Sequence, residues 1–321
     1  MIGVLAAIAC LALCWVLPAG AQIYPVKPVR FLVPFPTGGG TDAFARIMGS
    51  NLAEALGQQV VVENRPGAEG NIGTALGAKA QPDGYTMVFA HLSTFAVNPW
   101  LFRNPGYDPI KDFAPVTLGT TQPWLLVVNP SVPAKSMKEL AALARQRPGK
   151  LNFASAGSSA AQMAGEFFKQ ITGTDIVHIA YKGASVAMID VMAGNIDMLY
   201  SSPAGPTPHV RSGKLRALGV TGPKRLPALQ NVPTIGESGF PHFDKVTGWY
   251  GVVMPAATSK EIVVKLNTEI VRVLRLPIAV ERLRNAGLDS APTSADEFLT
   301  IIKSDHERWG KIIKLSGVKP E

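Results

Sequence analysis

The sequence predicts an α/β protein of two units, one interrupting the other, and three observations carry that expectation. Short β-branched runs alternate with helix-patterned stretches throughout, the signature of parallel α/β sheets. The 321 residues exceed what a single hydrophobic core usually organises. Two extended apolar runs, Trp124 to Val128 and Trp249 to Val253, stand where the chain would leave the first unit and return to it. Residues 22–122 and 247–321 then form one domain and 123–246 the other. Two crossing strands would join them across a cleft, which is a hinge geometry.

The N-terminus is set apart from this scheme. Met1 to Leu17 is almost wholly apolar, and Ala19-Gly20-Ala21 has the small-x-small form of a signal-peptidase site, although no Lys or Arg precedes the run. A cut after Ala21 makes residues 1–21 a signal peptide and exports the mature chain. The competing reading is a membrane anchor, for which a run of this length is at the short limit. Cys10 and Cys14 both lie in this segment, and Ala7 and Leu13 spoil the lipidation pattern before them. A cysteine-free mature chain excludes disulfides, thiolate metal sites and cysteine nucleophiles. No two histidines fall at ligand spacing, so no metal is expected. The net charge of +8 reads first as a solvated basic surface and second as a long-range attraction for anionic solutes. No Lys/Arg block with interleaved aromatics occurs, which argues against nucleic acid.

The elements follow in order. A strand over Val29 to Val33 leads through PTGGG to a helix with apolar residues Phe44, Ile47, Met48 and Leu52 on one face, capped by Thr41 or Asp42. Strands follow at Val60 to Val62, Thr86 to Ala90 and Phe113 to Leu118, with a helix after ENRPGAEGNIG running through Ala80. The second unit reads as strands at 124–128, 151–154, 176–179, 196–200 and 215–220, with helices at 136–146, 159–172 and 185–193 between them. Ser136 and Glu139 have capping-box spacing. After a proline-rich stretch come a strand at 249–254 and two helices, 259–276 and 294–315.

Two turns carry the chemistry. VPFPTGGGTD, Val33 to Asp42, places uncovered backbone N–H groups at the positive end of a helix dipole, which suits an anion. SAGSSAAQ, Ser155 to Gln162, repeats the arrangement in the second unit. Neither has the lysine of a phosphate-binding P-loop, and Gly67, Gly70 and Gly73 lack the spacing of a dinucleotide fingerprint, so no nucleotide or other cofactor is expected. Gly157-Ser158-Ser159 resembles a nucleophile turn, but Ala161 stands where the closing glycine belongs. A secreted serine hydrolase using Ser158 is therefore the lesser alternative, and no catalytic residue is assigned. Both turns also fit plain helix caps.

PFPTGGGTDAFAR, ENRPGAEGNIG, QPDGYTM, YKGAS, GKLRALGVTG, NVPTIGESG and KLNTEI occur in one order over nearly the whole mature chain. In this the sequence resembles the Bug receptors, the extracytoplasmic solute-binding subunits of tripartite tricarboxylate transporters. The resemblance implies a two-lobed, type II-like periplasmic-binding-protein fold that closes on a small organic carboxylate and delivers it to membrane permease subunits. A sensor kinase of a two-component system is the alternative recipient. It implies a carboxylate anchor made of Thr37, Gly38, Gly40, Thr41 and Asp42 from one lobe and Ser155, Gly157 and Ser158 from the other. His91, Ser93 and Tyr181 are candidates for selecting the rest of the solute. Two departures stand out. Gln162 occupies the place of a common histidine, and Asp197-Met198-Leu199-Tyr200-Ser201 ends in serine where relatives carry a second acid. Without that acceptor at Ser201, a ligand lacking an ammonium group is expected.

Overall fold

The computed structural model describes residues 24–38, 40–156, 160–181 and 183–316. Eleven strands among these residues form two sheets. The first contains β1 (Val29–Val33), β2 (Val60–Asn64), β3 (Thr86–His91), β4 (Phe113–Gln122), β10 (Gly248–Pro255) and β11 (Asp289–Ser290), in the order β11-β4-β10-β3-β1-β2. The second contains β5 (Leu125–Val128), β6 (Asn152–Ala156), β7 (Val177–Tyr181), β8 (Met198–Ser201) and β9 (Arg216–Val220), in the order β7-β6-β8-β5-β9. Helices α1 (Gly40–Leu56), α2 (Asn71–Ala78), α8 (Lys260–Leu274) and α9 (Pro277–Asn285) belong with the first sheet. Helices α4 (Met137–Gln146), α5 (Ala160–Thr172) and α6 (Ala184–Ala193) belong with the second. Short helices α3 (Asn98–Leu101) and α7 (Thr207–Arg211) and the long terminal α10 (Ala295–Ser316) complete the set.

Local chemistry explains where the elements begin. Ser136 caps α4, its hydroxyl accepting the Glu139 N–H at 3.2 Å, and Glu139 reaches back to the Lys135 N–H rather than to that of Ser136. Ser294 caps α10 through its hydroxyl, which accepts the Glu297 N–H at 3.2 Å, and here Glu297 does reach back to the cap residue's own N–H at 2.9 Å. The sequence pattern gives no element between 277 and 293. The structure has α9 and β11 there, because a proline in a helix's first turn sacrifices no internal hydrogen bond.

The sheets are mixed, which corrects the expectation of parallel ones. β1 pairs in parallel with β2 and β3, and β6 with β7 and β8. The two strands next to the chain crossings reverse this. β10 runs antiparallel to β3 and β4, and β5 runs antiparallel to β8 and β9. The reason is connectivity, since a strand arriving from the other lobe enters its sheet at the edge where the resident strands end. The crossings themselves are also shorter than expected. The apolar runs at 125–128 and 248–255 lie inside the sheets, and only Pro123 and Trp124 separate β4 from β5.

That connectivity fixes how the lobes face each other. In the first sheet β1, β2, β3 and β4 all end on the edge where β10 begins. In the second, Ser201 and Val220, the last residues of β8 and β9, stand opposite Leu125, the first of β5, and parallel β6 and β7 end on that same edge. Three residues of extended chain span at most about 10 Å, so Gln122 and Leu125 hold the two edges close. Strands β1, β3, β6, β7 and β8 therefore all end toward the junction.

One hydrophobic core runs through the junction. Trp249 on β10 packs edge-on against Phe298 of α10 at 5.3 Å, and its indole N–H donates to the buried Asp305 carboxylate at 2.7 Å. Farther along, α10 reaches α5 of the second lobe. Gly251, in the middle of β10, makes this packing possible: a Cβ there would lie 2.2 Å from Cζ of Phe298 and 2.9 Å from the Thr117 carbonyl oxygen. Gly251→Ala is expected to lower unfolding stability by about 1–3 kcal/mol, read from the urea midpoint, because neither neighbour has room to retreat. An unchanged midpoint would contradict this packing.

Candidate functional site

The turn after β1 is organised by a carboxylate. Asp42 accepts hydrogen bonds from the Gly38 N–H at 3.1 Å, the Arg46 Nε at 2.9 Å and the Asn64 Nδ2 at 3.2 Å. Asn64 also donates to the Phe35 carbonyl at 3.0 Å, so the end of β2 clamps the loop. Gly38 has φ of 87°, a left-handed conformation that glycine adopts without strain. The helix starts at Gly40, so Thr41 and Asp42 lie in its first turn rather than at the cap. Asp42 performs the capping from inside, by bonding back to Gly38. Thr37, Gly38 and Gly40 are exposed, whereas Thr41 and Asp42 are buried.

The electrostatics of this turn are close to balanced. The hydrogen bond from Arg46 holds the Asp42 carboxyl below its ordinary range against the opposing effect of burial, so the group stays ionised. A carboxylate at a helix N-terminus offsets the dipole that would draw an anion, and the Arg46 guanidinium offsets the carboxylate. What remains for a ligand is a set of neutral donors.

Beneath the turn lies an aromatic floor. His91 and Tyr250 stand opposite each other in the β3–β10 ladder, ring centroids 5.2 Å apart, and Phe35 lies 4.9 Å from His91. A Cβ at Gly40 would sit 3.2 Å from the Tyr250 hydroxyl, so the phenol ends directly under the helix start. Gln122 hydrogen-bonds that hydroxyl, and burial pushes Tyr250 up to about 12. His91 Nδ1 accepts the Ser93 N–H at 2.9 Å, and burial lowers its pKa to about 3. The ring is therefore neutral with its proton on Nε2, a donor. Ser93 itself is buried at the start of the turn that follows β3.

In the second lobe Ser155 is fully buried near the end of β6, its hydroxyl 2.8 Å from Nε2 of His178. Burial, and then the charge of Lys169, lower the pKa of His178 to about 4. Tyr181 ends β7, but its hydroxyl donates to the Asp190 carboxylate of α6 at 2.5 Å, so its proton is already committed within the lobe. Ser201 is buried at the end of β8. Gln162 is buried in the first turn of α5. Gly157 and Ser158 lie outside the described residues.

The structure thus brings Thr37, Gly38, Gly40, Thr41, Asp42, His91 and Ser93 to one sheet's junction edge, and Ser155, Tyr181 and Ser201 to the other's. Sequence reasoning did not find Tyr250, Gln122, Asn64 or His178. Asn64 stood inside the ENRPGAEGNIG motif, and that was its available signal. Tyr250 is far from the turn in sequence and reaches it through strand register alone.

The family described as "Tripartite tricarboxylate transporter family receptor" matches residues 44–318. The chain belongs to this family. It is 35% identical over 304 residues to protein BugT of Bordetella pertussis, covering 94% of this chain and 93% of that one. Among solved structures, R. palustris Rpa4515 with adipate superposes with a TM-score of 0.79 at 34% identity, over 93% of this chain and all of that one (100%). MatC from Rhodopseudomonas palustris with bound malate gives a TM-score of 0.75 at 31% identity, over 90% and 100%. The receptor accordingly has the two-lobed periplasmic-binding-protein fold. It is a solute-binding protein and not an enzyme, and its family places it in the periplasm.

The two histidines make the receptor sensitive to acid. Their folded pKa values of about 3 and 4 lie below the ordinary 6.5, so between those limits the unfolded chain binds more protons. Stability is full above 6.5 and is lost as pH falls toward 4 and 3. The urea midpoint should therefore drop over that window, and His91→Gln should make the drop shallower. A His91→Gln profile parallel to that of the unaltered receptor would refute the neutral ring.

Proposed function

We propose that the receptor captures a small carboxylate between the Thr37–Asp42 turn and the Ser155-containing edge, and that closure of the lobes encloses it. The observation that carries this is the set of neutral donors at one junction: the N–H groups of the α1 start, the Nε2–H of His91 and the Tyr250 hydroxyl. The adipate and malate bound by two similar receptors support the same ligand class. A helix terminus supplies ~0.3–1 kcal/mol, or about 2 when partly buried. Micromolar affinity needs about −8 kcal/mol, so several hydrogen bonds, some through ordered water, must provide the rest. Gly157 and Ser158 are assigned to the second half of the anchor on their sequence motif. Tyr181 is assigned a lesser part, through its ring, because Asp190 holds its hydroxyl. Ser201 offers no acid to an ammonium, and the ligand class is accordingly carboxylates without an amine.

In this reading residues 1–21 are removed after Ala21 on export, residues 22–122 with 247–321 form one domain, and 123–246 form the other. Closure presents a joint surface of both lobes to permease subunits of a tripartite transporter. Genes for a two-component system beside this one, in place of a permease, would favour a sensor kinase as recipient.

A panel of dicarboxylates, tricarboxylates and aromatic acids, followed by thermal shift and tryptophan fluorescence, tests the assignment. A ligand should raise the melting temperature and change fluorescence saturably, since Trp124 and Trp249 lie at the crossings. Tyr250→Phe should then weaken binding about tenfold, the loss of one hydrogen bond to a charged group, with the fold intact. Silence across the panel would overturn the carboxylate reading, and unchanged affinity in Tyr250→Phe would remove that phenol from the site.

A further inference from the structure

A cavity of about 750 Å³ lies on the far side of the crossing strands from the proposed cleft, a volume typical of small-molecule sites. Strand order gives the placement. In the first sheet β1 and β3 lie on one side of the β4–β10 crossing pair, and β11 lies on the other. In the second sheet β8, β6 and β7 lie on one side of β5, and β9 lies on the other. The cavity is lined by Asp289 of β11 and the ends of α8 and α9 from the first lobe, and by the segment after β9 from the second.

Its walls carry cations from both lobes. Lys224 comes from the second lobe, and Arg275 and Arg284 come from the first. All three are exposed, and none forms an ion pair with a described residue. Arg225 also lines the cavity but is held by Glu237 at 2.8 Å. Asp289 is the acid among the lining residues. Like charges on facing walls repel, and a small ion of opposite sign between them removes that repulsion.

We propose that this rear groove binds a small multivalent oxyanion, and that its occupancy opens the ligand cleft. The proposal rests on the two-lobed closure described above. With the crossing strands as pivot, narrowing one side widens the other. An anion bridging Lys224 to Arg275 and Arg284 draws the rear walls together and so spreads the cleft. By linkage, such an anion lowers affinity for the cleft ligand, and the cleft ligand lowers affinity for the anion. The positive charge of the chain thus acts at a specific place as a release device.

Inorganic pyrophosphate at constant ionic strength is the probe, titrated calorimetrically into the ligand-free receptor. Binding should be saturable, should weaken roughly tenfold or more when Lys224, Arg275 and Arg284 are all changed to alanine, and should survive Tyr250→Phe. The cysteine-free mature chain permits spin labels at Ile72→Cys and Val186→Cys, two exposed positions on helices that rise from opposite sides of the cleft. Pyrophosphate should lengthen the distance between them in the unaltered groove and leave it unchanged in the triple variant. No saturable binding, binding lost in Tyr250→Phe but kept in the triple variant, or a distance that shortens or stays fixed would each overturn the proposal. None of these readouts needs a carboxylate, so a silent carboxylate panel would leave this test standing.

Discussion

The rest of the molecule depends on the brevity of the chain's passage between lobes. Only Pro123 and Trp124 separate β4 from β5, and the return enters β10 at Gly248. A link this short forces the two sheets to face each other edge to edge. Because parallel strands share a direction, their C-terminal ends then gather at one place. The strand ends that carry the candidate site need no special device to converge, because β1, β3, β6 and β8 each end at the junction.

The chemistry at that junction is built from neutral groups. Asp42 is ionised but answered by Arg46, His91 and His178 are uncharged, and Tyr250 keeps its proton. Binding an anion with dipoles in place of a cation has a physical consequence. In the proposed binding mode the ligand is released without separating an ion pair in a low-dielectric cleft, where such separation is costly. Several formal positive charges line the rear of the hinge, where in the proposed release device they bear on lobe angle rather than on ligand contact. Gripping and releasing can therefore be adjusted at different sites of one pivot.

Burial explains which side chains hold the scaffold and which are left for function. Asn64 and Asp42 are spent on fixing the loop, and Asp190 on fixing Tyr181. Trp249 and Asp305 tie the terminal helix to a crossing strand.

Most elements were legible from the chain because they rest on local rules. The apolar spacing of α1 and α8, the Ser136 cap, and the glycine turn at Gly38 are short-range signals, and the order of two interleaved α/β units follows from them. The motifs within that order were specific enough to point to a receptor family. Tertiary structure alone decided the mixed strand directions, the capping of α1 by Asp42 from inside the helix, the committed hydroxyl of Tyr181 and the arrival of Tyr250 beneath Gly40. Each of these is set by register or contact between segments distant in sequence, and no local propensity encodes which of two distant residues will stand opposite the other.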